Sequence, residues 1–185
     1  MKVAQEEHLT SVHFGEQLIH LLSTAAELYH RLILVVAPGG GGKSAALRSV
    51  AARTGAPVVN LNLELSRRLL ELTERQRKLQ ASRLVGALVA EAAARDDASG
   101  VVLLDNTEIL FDVSLSIDPL RLLEEVSRNW TLVVAWRGRI DADHLVYARP
   151  EHPEYRRYPI GDLVIVTSND EPGSKIGIEG KGQTA

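Results

Sequence analysis

The chain has 185 residues, 45% of them hydrophobic and 24% charged, with a net charge of −3. That length suits one domain with a real core, and the mildly acidic balance excludes a general polyanion binder, leaving nucleic-acid contact to a local patch. The absence of cysteine excludes disulfides, thiolate metal sites and cysteine nucleophiles. The first residues lack a signal-peptide core and no apolar run reaches the ~18–20 residues of a membrane span. No membrane contact and a cytoplasmic location are therefore expected.

In chain order, apolar positions Leu18, Leu21, Leu22, Ala25 and Leu28 recur at helical spacing between about residues 14 and 30. The β-branched run Leu32–Val36 reads as a buried strand. A helix from Ala45 should end at Thr54, with Gly55 beyond it as a natural left-handed terminator. Residues 58–61 read as a second strand. The long helical region after it should break at Thr73, because Thr73 and Gln76 have the spacing of a capping box, and it should end near Ala94. Val101–Leu104 reads as a third, fully buried strand. Asp118-Pro119 opens a helix to about Ser127, with Asp as cap and Pro in the first turn. Residues 131–135 form a fourth buried strand, and residues 144–148 and 162–167 two more around a polar connection over 149–161. Strands alternating with helices predict an α/β, doubly wound, mainly parallel sheet with helices on both faces. We expect a single domain over residues 1–168, with no full lid domain, and a disordered tail over 169–185.

The chemistry concentrates where the first strand ends. Ala37, Pro38, four glycines (Gly39, Gly40, Gly41, Gly42), Lys43, Ser44 and Ala45 stand between strand and helix. Strand, glycine loop and helix in that order are the context of a P-loop NTPase. Glycines let backbone N–H groups turn inward around an anion, and the helix start adds further donors. Lys43 offers a point charge to the outer phosphates and Ser44 a hydroxyl to Mg²⁺. The pattern departs from Gly-x-x-x-x-Gly-Lys-[Ser/Thr] at its first position, which is Ala37, a residue small enough to fit. Asp105, ending the third strand, is the expected second Mg²⁺ ligand. Asn106 follows it and cannot serve as a base, so Glu108 is the nearest carboxylate able to polarise an attacking water. Arg128, Arg137 and Arg139 are candidate sensors or fingers for transition-state charge. A flexible glycine linker, a solvent-facing Glu108 and surface-paired arginines are the plain alternatives.

With only five lysines, the chain has no Asn-Lys-x-Asp, and no Asp-x-x-Gly directly follows the third strand. ATP is expected rather than GTP. Arg67, Arg68, Arg75, Arg77, Lys78 and Arg83 form either a solvated helix face or a basic stripe for DNA or an acidic partner. The six histidines lack ligand spacing, and Trp136 fits core packing.

Several segments together look familiar: Ala37–Ser44, Val59–Ser66, Leu103–Asn106, Asp118–Leu123, Ser127–Asn129 and Tyr147–Tyr155. Over roughly residues 15–160 the chain resembles the BrxF family, small P-loop ATPases of type III BREX bacteriophage-exclusion systems. The resemblance implies a bacterial anti-phage defence protein working beside a larger ATPase, a DNA methyltransferase, a phosphatase-like protein and a helicase. It carries nucleotide-binding roles onto Gly42, Lys43, Ser44 and Asp105. The readings kept open are an ATPase dependent on self-association, a non-hydrolysing ATP switch or adaptor, and a small nucleotide kinase.

Overall fold

Apolar runs bounded by glycine and polar residues form the strands. In the computed structural model, which describes residues 15–95 and 100–167, these are β1 (Leu32–Ala37), β2 (Val58–Asn60), β3 (Val101–Asp105), β4 (Thr131–Arg137), β5 (Arg139–Asp141), β6 (His144–Tyr147), β7 (Arg156–Pro159) and β8 (Val164–Thr167). The helices are α1 (residues 15–25), α2 (Lys43–Thr54), α3 (Leu61–Leu69), α4 (Glu74–Ala93) and α5 (Pro119–Val126). The expected tail over 169–185 lies outside the described residues.

Five strands make one parallel sheet in the order β2-β3-β4-β1-β8. Alternation along β1 sends its side chains to two cores. Leu32, Leu34 and Val36 join Val102, Leu104 and residues of α3, α4 and α5 on one face. Ile33 and Val35 join Val133, Leu18 of α1 and Leu47 of α2 on the other. A parallel sheet buried on both faces explains why its strands lack polar alternation.

The local signals act as their chemistry requires. Gly55 terminates α2 at φ 78°, the Thr73–Gln76 capping box opens α4, and Asp118 caps α5 ahead of Pro119. α1 is shorter than the expected 14–30, with turns and bends over 26–30.

One expectation needs correction. The strands at 144–148 and 162–167 form, but in different sheets. β8 extends the parallel sheet beside β1. β6 instead pairs antiparallel with β5 and β7, the latter inside the supposed connection over 149–161. Arg156–Pro159 has little hydrophobic signal, because only alternate residues are half-buried and its backbone bonds come from β6. An aromatic cluster fastens this small sheet to the larger one. Phe111 stacks on Tyr147 at 3.5 Å between ring centres, and the buried Trp136 meets Phe111 and Tyr158 edge-on. Gly138 permits the close approach, since a Cβ there would lie 2.2 Å from the Val146 carbonyl oxygen.

Candidate functional site

Parallel register brings the chemical residues to one sheet edge. β1 ends at Ala37 directly opposite Arg137 of β4, and β2 ends at Asn60 opposite Asp105 of β3. Since β4 lies between β1 and β3, these carboxyl ends converge on the start of α2.

The glycine loop spans Pro38–Gly42. Gly40 and Gly42 hold φ of 78° and 76°, and nothing lies within 4 Å of where their Cβ atoms would stand. These two positions need glycine for backbone conformation, because L side chains disfavour the left-handed region. Gly41 needs it for space: a Cβ there would be 2.7 Å from that of Ala37 and 3.1 Å from the Pro38 oxygen. Ala37 is thus accommodated because residue 41 is glycine. The Gly41 N–H donates to Pro38 O at 3.1 Å, tightening the loop.

Lys43 Nζ folds inward and donates to Ala37 O at 2.8 Å and to Pro38 O at 2.7 Å. Burial holds its ammonium below the ordinary lysine range; Glu108 opposes that effect, Arg137 reinforces it and Asp105 opposes it. Ser44 Oγ donates to Asp105 Oδ1 at 3.0 Å, across sixty-one positions of sequence. A hydroxyl and a carboxylate held together beside the glycine loop form an all-oxygen donor set of the kind Mg²⁺ takes. The glycine loop and this donor pair fit the expected nucleotide and metal.

Beyond β3 the chain turns sharply. Asn106 has φ 51°, a conformation asparagine tolerates better than glutamate does, which gives the residue after Asp105 a backbone reason. Its carbonyl accepts from Asn62 N at 2.9 Å. The buried Thr107 hydroxyl donates to Ala135 O at 2.8 Å, tying the turn to β4. Glu108 then opens a 3₁₀ turn, half-buried, near enough to act on both Lys43 and Tyr147. The Tyr147 hydroxyl is pushed up to about 12 by burial first, then by Glu154 and Glu108.

The structure therefore brings together Pro38, the four glycines, Lys43, Ser44, Ala45, Asp105, Glu108 and Arg137. The Arg137 guanidinium stands over Gly39, with Nη2 3.4 Å from the position of a Cβ there. Arg128 is not brought to the site. It precedes β4 at the amino ends of the strands, its carbonyl accepting from Arg31 and its guanidinium 5.2 Å above the Tyr29 ring. Six residues of strand separate it from the loop, about 20 Å at the usual rise, so only a neighbouring copy could use it there.

The basic stripe is mostly engaged within the chain. Arg67 pairs with Glu64 and Lys78 with Glu74, while Arg68 pairs with Glu91. Arg77 donates to the Leu69 and Leu72 carbonyls at the end of α3.

Sequence reasoning missed a cleft of about 880 Å³ between the loop and the antiparallel sheet. Pro38 and Gly39 form one wall, and Arg137, Arg139, Arg149 and Glu154 are among the others. The Tyr147–Tyr155 segment was legible only as a resemblance, because an antiparallel sheet decides where its polar residues point. No family model, curated protein or solved structure matches the chain, so no relative assigns roles to these residues.

Proposed function

We propose that this chain is a P-loop NTPase that binds ATP with Mg²⁺ and hydrolyses it. The observation that carries the reading is the pairing of Ser44 with Asp105 beside a glycine loop whose left-handed positions are open and whose lysine is half-buried. In this reading the backbone N–H groups of Gly39–Ala45 hold the phosphates and Lys43 leaves its loop carbonyls for the outer oxygens. Ser44 and Asp105 would hold Mg²⁺, which when bound would supply positive charge against the phosphate oxygens. Glu108 accepts the proton of the attacking water. Arg137 meets the charge from across Gly39, acting within its own chain.

A second reading, ATP as a non-hydrolysed assembly switch, is favoured by Asn106, which leaves no carboxylate directly after Asp105. In either case the resemblance to the BrxF family supports an accessory role in a BREX anti-phage complex. Its larger ATPase, methyltransferase, phosphatase-like protein and helicase are then the partners.

Steady-state hydrolysis by the purified chain, with and without DNA, separates the two readings. The proposal expects Mg²⁺-dependent turnover that falls by about 10³ in Arg137→Ala, the scale of an arginine finger, while ATP affinity stays within a few-fold. Mixing Arg137→Ala with Lys43→Ala should give no rescue if Arg137 works in its own chain. Rescue would move the arginine to a neighbouring copy, and no turnover under any condition would leave the switch.

A further inference from the structure

The cleft beside the loop gathers three arginines, Arg137, Arg139 and Arg149, in one lining. On α3 and α4 three arginines are engaged: Arg67 with Glu64, Arg68 with Glu91, Arg77 with three carbonyls of residues 69–72. In the cleft, Arg137, Arg139 and Arg149 are all exposed, and among the described residues none forms an ion pair. Arg139 makes one long bond, 3.4 Å, to Ala148 O. Two carboxylates, Glu151 and Glu154, line the same cleft. Glu154 accepts from Tyr147 Oη at 3.5 Å and lies 3.9 Å from His152 Nδ1, and Glu151 stands exposed. Three like charges lining one cleft repel one another and raise the local potential for an anion. Guanidinium forks match phosphate oxygens, while the carboxylates supply acceptors for sugar hydroxyls or base amines.

Of the glycine loop, only Pro38 and Gly39 reach this cleft. Lys43, Ser44 and Asp105, which suit the polyphosphate and its metal, do not line it. We propose that the cleft is a second site, for a nucleotide bearing a 5′-phosphate, with the phosphate on Arg139 and Arg149 and the sugar and base toward Glu151 and Glu154. The volume, about 880 Å³, is in the range of small-ligand sites. Arg137 borders both the cleft and Gly39, so occupancy of one site alters the field at the other, and the coupling is reciprocal. The shared chemistry has two sources, a free nucleoside monophosphate or the 5′ end of a single strand.

The inference does not depend on ATP hydrolysis, and its test separates the two. The full chain is titrated with 3′-labelled hexathymidylate carrying either a 5′-phosphate or a 5′-hydroxyl, and with free dTMP as competitor. The phosphorylated strand should bind at least tenfold tighter than its hydroxyl counterpart. Arg149→Ala and Arg139→Ala should each lose at least fivefold, Arg149→Lys should recover part of it, and ATP affinity should stay within twofold in all three. Lys43→Ala, which disables the loop, should keep the phosphate preference. Competition by dTMP at comparable concentration assigns the free nucleotide; competition only by the strand assigns the polynucleotide end. Equal binding of the two strands, no loss on changing either arginine, or loss of ATP affinity in Arg149→Ala would overturn the proposal, the last making the cleft part of the ATP site.

Discussion

Replacing Gly41 with alanine tests the loop more finely than removing its lysine. The new Cβ would sit 2.7 Å from the Ala37 Cβ and 3.1 Å from Pro38 O, about 1 Å inside ordinary carbon contact distance. Ala37 is buried at the end of β1 and tied through its carbonyl to Gly138 N and Lys43 Nζ. The loop must therefore yield rather than the strand. Overpacking of this kind costs about 1–3 kcal/mol. Because the loop is at the surface, that cost should appear in nucleotide affinity, as a roughly 5- to 150-fold loss, with little change in Tm. A second substitution, Ala37→Gly, removes the methyl that is struck and should restore at least half of the lost free energy, a coupling of about 1 kcal/mol in a double-mutant cycle. It should not rescue Gly40→Ala or Gly42→Ala, whose defect is the left-handed backbone at about 1–2 kcal/mol. Titration calorimetry with ATP and Mg²⁺ on the four single variants and the three combinations with Ala37→Gly decides the matter. ATP binding by Gly41→Ala within twofold of wild type, or no recovery on adding Ala37→Gly to a protein of unchanged Tm, would refute the reasoning.

Asp105→Asn should weaken Mg²⁺-dependent ATP binding by about tenfold, whereas Glu108→Gln should leave binding intact and slow turnover by about 10²–10⁴; identical kinetics in both would remove them from the mechanism. Gly138→Ala should drive its methyl into Val146 O and Trp136 and cost about 3 kcal/mol or more, lowering Tm by about 6–12 °C. An unchanged Tm would show that the small sheet is not held by that contact.

The parallel sheet was legible because its three longest strands, β1, β3 and β4, are apolar runs, and the helices between strands carry punctuation of known chemistry: Gly55, the Thr73–Gln76 box, Asp118-Pro119. The convergence of Ser44 and Asp105 in the candidate site was legible for the same reason, since both stand next to the ends of strands in one parallel sheet. The antiparallel sheet was not. Arg139–Asp141 and Arg156–Pro159 are three and four residues long, mostly polar, and become strands only by pairing with β6. With that sheet went the cleft, whose arginines converge from β4, β5 and the β6–β7 loop. Arg128 and Arg137 are both candidates in the sequence, one before and one at the carboxyl end of the fourth strand, and strand direction brings only the second to the loop. Asn106, legible only as a missing base, owes its place to a left-handed turn.

The central claim is that the glycine loop holds the phosphates of ATP through Lys43. Titration of the full chain with ATP and Mg²⁺ tests it most directly, comparing wild type with Lys43→Ala and checking the fold of both by circular dichroism. The wild type should bind one ATP per chain, and Lys43→Ala should lose about 10²-fold or more in affinity, since a half-buried charged donor to phosphate is worth about 3 kcal/mol. A folded Lys43→Ala protein that binds ATP within twofold of wild type would contradict it.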